Sequence, residues 1–233
     1  MKLILLAASA CLIAAPALAS DLVYVDDQQP VVFETEAPAV DWTGFYLGIY
    51  GGAADGDMVY DAADDAFPYL GNLRGGFGGL QTGFNFQVSD ALVLGAVADL
   101  GVTTLQGSAG GGGATLVTDL QYLGSVRAKL GYAMDRLLAY VHGGAAFGST
   151  DSNASLDSDG IPFSNFHGGG HFGYTLGAGL EYKVSDAVSV FGEYAYTDLG
   201  STEVFTNPPG TPAFTLYEIL RYQSIKGGIN FHF

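Results

Sequence analysis

The chain ends with the stretch Ile225-Lys226-Gly227-Gly228-Ile229-Asn230-Phe231-His232-Phe233, whose residues alternate in polarity. The odd-numbered positions are apolar or glycine, and the even-numbered positions are mostly polar. Successive side chains of a β-strand point to opposite faces of its sheet, so this period of two predicts an amphipathic strand. The two faces of that strand are expected to meet different surroundings.

Seven earlier segments alternate in the same way, which gives eight predicted strands. They lie at about 43–53, 76–88, 91–101, 120–132, 137–148, 171–184 and 187–198, followed by the last strand at 216–233. Each is near or above the ~9–11 residues that a tilted strand needs to cross a bilayer. Short turns alternate with long links, predicted at 54–75, 102–119, 149–170 and 199–215. This alternation predicts an all-β fold: an eight-stranded antiparallel up-and-down transmembrane β-barrel with its long loops at one end.

The composition favours strands over helices as the elements that cross the membrane. The 233 residues include 35 Gly, 14 Tyr and 15 Phe, but Lys and Arg together number 8. Abundant glycine, scattered aromatic residues and few charges are typical of a barrel with a wall that faces lipid. No apolar run after residue 20 is long enough for a transmembrane helix.

The N-terminus has the pattern of an export signal. Lys2 precedes an apolar core at 3–15, and Ala17-Leu18-Ala19 forms a small-residue cleavage site. We therefore predict a signal peptide at 1–19, an acidic periplasmic lead-in at 20–41 and a barrel at 42–233. The single cysteine, Cys11, lies in the predicted signal, so we expect no disulfide in the exported chain.

The exported chain is strongly acidic. All 24 acidic residues and seven of the 8 basic ones follow the predicted cleavage site, which gives a net charge of 7 − 24 = −17. Nucleic-acid binding requires clustered Lys and Arg, so this charge excludes it. Anionic surfaces should be repelled unless divalent cations lie between the two. No cofactor is expected.

Taking Phe233 as lipid-facing assigns a face to every strand position. Six charged residues then point into the barrel, three acids and three bases: Asp99, Glu181, Glu193, Arg127, Lys129 and Lys226. Buried charges are costly unless they are paired, and an eight-stranded barrel has room only for side chains. We therefore predict a closed interior ionic network. Lys183 shares the inward face near a periplasmic turn that water reaches, and the outward Arg221 predicts that strand eight projects beyond the membrane.

Several motifs carry a family resemblance, beginning with Trp42-Thr43-Gly44-Phe45-Tyr46-Leu47-Gly48 at the predicted barrel start. The others lie, in order, at 79–86, 127–132, 140–146, 177–182, 193–200 and 228–233. Together they resemble the small outer-membrane β-barrel family related to the OmpA transmembrane domain, in its opacity and major surface antigen branch, often labelled a porin family.

The resemblance implies an integral protein of the Gram-negative outer membrane. It also implies insertion by the barrel-assembly machinery, with Phe231 and Phe233 in the final strand as the recognised signal. Two positions depart from the family pattern. Val97 stands where related chains often carry a glutamate, and His142 stands where a small hydroxyl residue is usual, which leaves the role of His142 open.

The function that needs nothing beyond the fold is structural: an envelope protein that displays its loops at the surface. Its expected partners are outer-membrane lipid and lipopolysaccharide. Two alternatives are a small porin and loop-mediated ligand or adhesin binding. The lipid-facing positions do not distinguish a monomer from an oligomer.

Two groups of residues are candidates for ligand binding. Five acids within eleven residues form a weak candidate cation site: Asp55, Asp57, Asp61, Asp64 and Asp65. Their spacing lacks the glycine and terminal glutamate of an EF-hand. His167 and His171 flank three glycines and are weak candidates for a transition metal or haem. Neither group is a confident metal site.

Catalysis is not expected, and no catalytic residue is assigned. Nucleophilic catalysis needs a nucleophile and a base within hydrogen-bond reach, and no serine can be placed beside His142. The chain also lacks a G-x-S-x-G motif. A soluble lipocalin-like barrel would point its apolar residues inward and expose the ionic set, so the charge distribution argues against that fold.

Overall fold

Eight antiparallel strands close into one barrel in chain order, with β1 paired to both β2 and β8. The computed structural model describes residues 40–62, 69–111, 114–156, 169–206 and 215–233. The strands are β1 (Gly44–Ala62), β2 (Tyr69–Gln87), β3 (Leu92–Gly111), β4 (Ala114–Met134), β5 (Leu137–Leu156), β6 (Gly170–Ser185), β7 (Val188–Thr206) and β8 (Thr215–His232). Within the described ranges, no helix is long and apolar enough to cross a membrane. The predicted fold class is confirmed.

The three short turns lie at one end of the barrel, together with the start of β1 and the end of β8. In the turn between β4 and β5, Asp135 takes a φ of 53°, as a two-residue hairpin turn requires. Short turns face the periplasm in outer-membrane barrels, so this end is periplasmic and the other is external.

The strands extend further toward the external end than the sequence predicted. β1 continues to Ala62 instead of ending near residue 53, and β3 continues to Gly111 instead of ending near residue 101. The predicted long links at 54–75, 102–119, 149–170 and 199–215 were therefore wrong in their bounds. Many residues in these segments are polar and were interpreted as loop, but the pairing between neighbouring strands continues through them.

The outer wall has two zones, which β1 shows most clearly. Phe45, Leu47 and Ile49 point outward and are exposed, as are the small residues at 51 and 53. Beyond residue 53 the alternation of β1 continues without a break, and its next two outward residues, Asp55 and Asp57, are acidic. We call the apolar zone the lipid band. We call the strand residues beyond it the outer extension: 55–62, 69–74, 104–111, 114–121, 149–156, 170–171, 198–206 and 215–223.

Candidate functional site: the filled lumen and the outer extension

The lumen inside the lipid band contains a buried ionic cluster at mid-height. Arg127 on β4 bonds to two acids, through Nη2 to Asp99 Oδ1 at 2.8 Å and through Nη1 to Glu193 Oε1 at 2.6 Å. Lys226 Nζ lies 3.1 Å from the same Glu193 oxygen and 3.9 Å from Asp99 Oδ1. All four side chains are at most 8% exposed. The structure thus brings four of the six predicted network residues together.

Neutral side chains complete the hydrogen bonding of this cluster. Ser125 donates to Asp99 at 2.6 Å, and the Tyr140 hydroxyl donates to Glu193 at 3.3 Å. His142, whose role the sequence left open, lies with Nε2 3.3 Å from Glu193 Oε1 and with its ring against Arg127. Val97 is buried opposite Arg127, so β3 contributes no second acid there.

The other two predicted residues form a second cluster nearer the periplasm. Lys129 Nζ lies 3.2 Å from Glu181 Oε2 and between the rings of Tyr46 and Tyr140, 5.1 and 4.9 Å from their centroids. The other Glu181 oxygen accepts from Ser189 at 2.6 Å and from Asn230 at 2.7 Å. Each acid of the lumen therefore has a basic partner and neutral donors, which a buried charge requires.

The periplasmic mouth is closed by residues just before β1. Trp42 is fully buried against Val93, Leu138 and Tyr140, and its Nε1 donates to the carbonyl of Asp135 at 3.1 Å. Lys183 was predicted to be accessible to water, and this was wrong. It is 5% exposed, because Asp41 and Trp42 cover it: Nζ donates to the Asp41 carbonyl at 2.5 Å and lies 5.1 Å from the Trp42 ring centroid.

The Asp41 carboxylate is held by the residues that follow it. The backbone N–H of Thr43 donates to Asp41 Oδ1 at 2.8 Å. This hydrogen bond, together with one from the Thr43 side chain, lowers the pKa of Asp41. The segment that covers the periplasmic mouth is therefore fixed to the start of the barrel by polar as well as apolar contacts.

The lumen of the outer extension is apolar, which the sequence did not predict. One buried cluster fills it, with Ala54, Leu123, Ala146 and Tyr222 at its lower edge and six larger side chains above: Met58, Leu73, Leu105, Leu120, Leu199 and Leu220. Four of those six, Met58, Leu73, Leu105 and Leu199, are buried on strand residues that were predicted as parts of long links. Apolar residues at the inward positions of three strands, Met58, Leu73 and Leu105, were a signal that could have identified the extension.

A second polar group lies above this apolar layer, centred on Glu218 of β8. Its carboxylate accepts from Thr118 at 2.6 Å and from Thr150 at 3.1 Å, and Oε2 lies 3.1 Å from His171 Nε2. His171 was predicted at the start of a strand and, with His167, as a weak candidate ligand for a transition metal or haem. It lies on β6 with a buried ring, and His167 falls outside the described residues. Sequence reasoning did not identify Glu218 as an interior residue, because its partners Thr118 and Thr150 lay in segments that were predicted as links.

The outer face of the extension carries exposed ion pairs. Arg74 on β2 pairs with Asp55 on β1, and Arg221 on β8 pairs with Asp198 on β7 at 2.9 Å. Asp55, Asp57 and Asp61 therefore lie on β1 and not in a loop, which corrects the expected position of the acidic group. Asp64 and Asp65 fall outside the described residues, and the cation site stays a prediction. Within the described ranges, no three His, Cys, Asp or Glu side chains are placed to hold a metal.

The predicted assembly signal lies at the periplasmic rim of the lipid band. Phe231 and Phe233 point outward and are exposed by 47% and 83%. The backbone N–H of Phe233 donates to the Phe45 carbonyl at 2.9 Å, beside the β1–β8 seam that closes the barrel. The structure thus places both aromatic rings on the lipid side of β8, the last strand in the chain.

A closed barrel with an apolar belt outside and paired charges inside is the architecture of an integral outer-membrane β-barrel protein. The family comparison agrees with this class. The model described as an outer membrane protein beta-barrel domain matches residues 4–233, and the chain belongs to that family. The predicted family and outer-membrane location are thereby confirmed.

Individual proteins of known name are also similar to this chain. It is 34% identical over 248 residues to the 31 kDa outer-membrane immunogenic protein of Brucella melitensis, with 100% of both chains covered. It is 36% identical over 167 residues to the 22 kDa outer membrane protein of Rhizobium leguminosarum, with 71% of this chain and 68% of that protein covered. The crystal structure of OprG from Pseudomonas aeruginosa shares the fold, with a TM-score of 0.51, 15% identity, and 82% of this chain and 96% of that chain covered.

Proposed function

We propose that this outer-membrane barrel raises its loops above the lipid surface on a rigid, filled outer extension. One observation carries the proposal: seven strands continue at least six residues past the lipid band, with polar side chains such as Asp57, Gln106 and Arg221 outside and a packed apolar layer inside. In β1, eight residues from Asp55 to Ala62 lie beyond the band. At ~3.3 Å per residue this corresponds to about 25 Å of additional strand. A filled tube of this kind holds what it carries at a fixed height.

Labelling of single cysteines on intact cells tests this proposal. The one native cysteine lies in the predicted signal peptide, so the mature protein gives no background. Gln106→Cys and Gln121→Cys, both on exposed positions of the extension, should react with a membrane-impermeant maleimide. Leu100→Cys and Val126→Cys, exposed on the lipid band of the same two strands, should remain unlabelled. Protection of residues 106 and 121 would contradict the proposal.

We further infer that the barrel is not a diffusion pore. Its lumen is filled by three successive layers within the described residues: the ionic clusters, the apolar cluster and the Glu218 group. Planar-bilayer recordings should therefore show no unit conductance. The layers are independent, so Glu193→Gln alone should still not conduct, because the apolar layer above it remains. A conducting wild-type protein would remove this inference.

The polar groups of the lumen also do not support catalysis. Thr150 and Glu218 both approach the same His171 nitrogen, Nε2, at 3.2 and 3.1 Å. The second ring nitrogen, Nδ1, is buried without a hydrogen-bond partner, so no acid orients the imidazole as in a catalytic triad. The carboxylate and ring are also completely buried. We infer that the Glu218 group is not a catalytic site.

Two partners are part of the proposal. Arg74 and Arg221 lie directly above the lipid band, at the height where the phosphates of lipopolysaccharide would be reached, and Asp55 and Asp57 lie beside them for a bridging divalent cation. At the opposite rim, the outward rings of Phe231 and Phe233 are available to the barrel-assembly machinery before the barrel closes. Removal of both rings should reduce the amount of folded barrel in the membrane without changing the barrel's stability once it is refolded in vitro.

A further inference from the structure

A small internal cavity separates the ionic cluster from the apolar layer above it. Its volume is about 40 Å³. Asp99, Arg127, Glu193 and Lys226 lie on its lower side, and Phe77 and Leu123 are among the residues on its upper side. The cavity therefore has one polar and one apolar wall, deep in the lumen.

Arg127, which borders this cavity, has a hydrogen-bond donor left over. Its terminal nitrogens bond to Asp99, Glu193 and His142, whereas its buried Nε–H has no protein partner. The Arg127 side chain is 2% exposed, so bulk water does not reach it. A buried charged group with an unmade hydrogen bond is destabilising, which favours a small polar ligand at this position.

Further polar groups around the cavity supply the other partners that such a ligand needs. The hydroxyls of Thr175 and Thr197 lie 3.0 Å apart on its wall, and Ser224 and Tyr222 also border it. The two acids and two bases of the lower wall balance in charge, so the space does not favour an ion of either sign. Water, which both donates and accepts, matches this mixture.

We propose that this cavity is a built-in water site that completes the hydrogen bonding of the Arg127 guanidinium. A cavity needs at least about 10–15 Å³ of such volume and two to four polar partners to hold a water, so this one is large enough for at least one. It lies between the apolar layer above and the ionic clusters below. Water held there should therefore exchange more slowly with bulk solvent than water on the protein surface.

Oxygen-17 magnetic relaxation dispersion tests the proposal, because it counts water molecules held longer than the protein takes to tumble. The measurement uses the full protein purified in detergent micelles. Ala146, on the cavity wall and 3% exposed, is replaced in Ala146→Leu, which fills the space with three more carbons. The matched control is Ala128→Leu, at an exposed outward position of β4.

The wild type and Ala128→Leu should give the same number of long-lived waters, and Ala146→Leu should lose at least one of them. Equal counts in all three folded proteins would overturn the proposal. If Ala146→Leu does not fold, as judged by heat-modifiable gel migration, Ala195→Val tests the same cavity from β7 with a smaller added volume. There, too, an unchanged water count would overturn the proposal.

Discussion

The two halves of this barrel reverse their inside and outside. In the lipid band the outward side chains are apolar and the lumen contains paired charges. In the outer extension the outward side chains are mostly polar and the lumen is apolar up to the Glu218 group. In β1 the change falls between Ala53 and Asp55, while the inward series Tyr50, Ala54 and Met58 continues without a bulge.

The comparison shows that amphipathicity along a β-strand is a local property. The period of two and the hydrogen-bonded pairing persist through the change, so the backbone does not respond to it. What changes is the surrounding solvent, and only the polarity of the side chains on the two faces changes with it. A strand can therefore cross from lipid into water and remain half-buried throughout.

The largest effect is expected from unpairing the charges in the lipid band. Glu193→Gln preserves shape but leaves Arg127 and Lys226 with Asp99 as their one remaining acid. Removing one partner of a buried ion pair typically destabilises by about 3–5 kcal/mol. Urea unfolding in lipid vesicles, followed by fluorescence of the single Trp42, measures the loss. The control Asp57→Asn, at an exposed position, should change little, and a loss equal to that of the control would contradict the buried network.

The next effect concerns the apolar lumen of the extension. Leu105 is fully buried in that layer, so Leu105→Ala should lower the free energy of unfolding by about 3 kcal/mol through lost burial and the cavity left behind. Its neighbour Gln106 points outward, and Gln106→Ala is the matched control. If the two variants unfold at the same urea concentration, the extension is not packed as described.

The third effect concerns the outer wall. Ile49 is the middle residue of the outward apolar run of β1, and an arginine there should cost about 2–4 kcal/mol in a bilayer. Gln106→Arg, on the outer face of the extension, should cost less than about 1 kcal/mol, because its side chain meets water or headgroups. Refolding titrations in vesicles compare the two. Similar costs would show that both positions lie in the same solvent.

The smallest effect is expected from the exposed ion pairs of the extension. Arg221→Ala should change the stability by less than about 1 kcal/mol, and added salt should reduce the difference further. The double variant Arg74→Ala/Arg221→Ala tests the proposed partner. Addition of lipopolysaccharide with Mg²⁺ should raise the melting temperature of the wild type more than that of this double variant. Equal shifts would remove lipopolysaccharide contact from these two residues.

The alternation of the sequence was sufficient for the number of strands, their order and the face of each residue in the lipid band. It placed Arg127 and Glu193 on the inward face because parity along a strand is independent of the neighbouring strands. It did not show which charges meet, since that depends on the register of β4, β7 and β8 around a closed barrel.

The outer extension and the closure of the periplasmic mouth could not be predicted from the alternation. Polar residues such as Asp55, Thr104 and Gln106 have the composition of loops, and only the pairing of their strands makes them part of the wall. Lys183 was expected to meet water because its cover, Asp41 and Trp42, is distant in sequence. Contacts between a strand and a segment outside the sheet leave no periodic signal.

The reversal itself is tested most directly by a depth profile along β1. Nitroxide spin labels at the outward positions 47, 49, 53, 55 and 57 would be compared, in lipid vesicles, for collisions with oxygen and with a water-soluble nickel complex. Oxygen, which concentrates in lipid, should dominate at 47, 49 and 53, and the nickel complex should dominate at 55 and 57. A profile in which 55 and 57 remain as accessible to oxygen as 49 would contradict the account, because the whole strand would then lie in lipid.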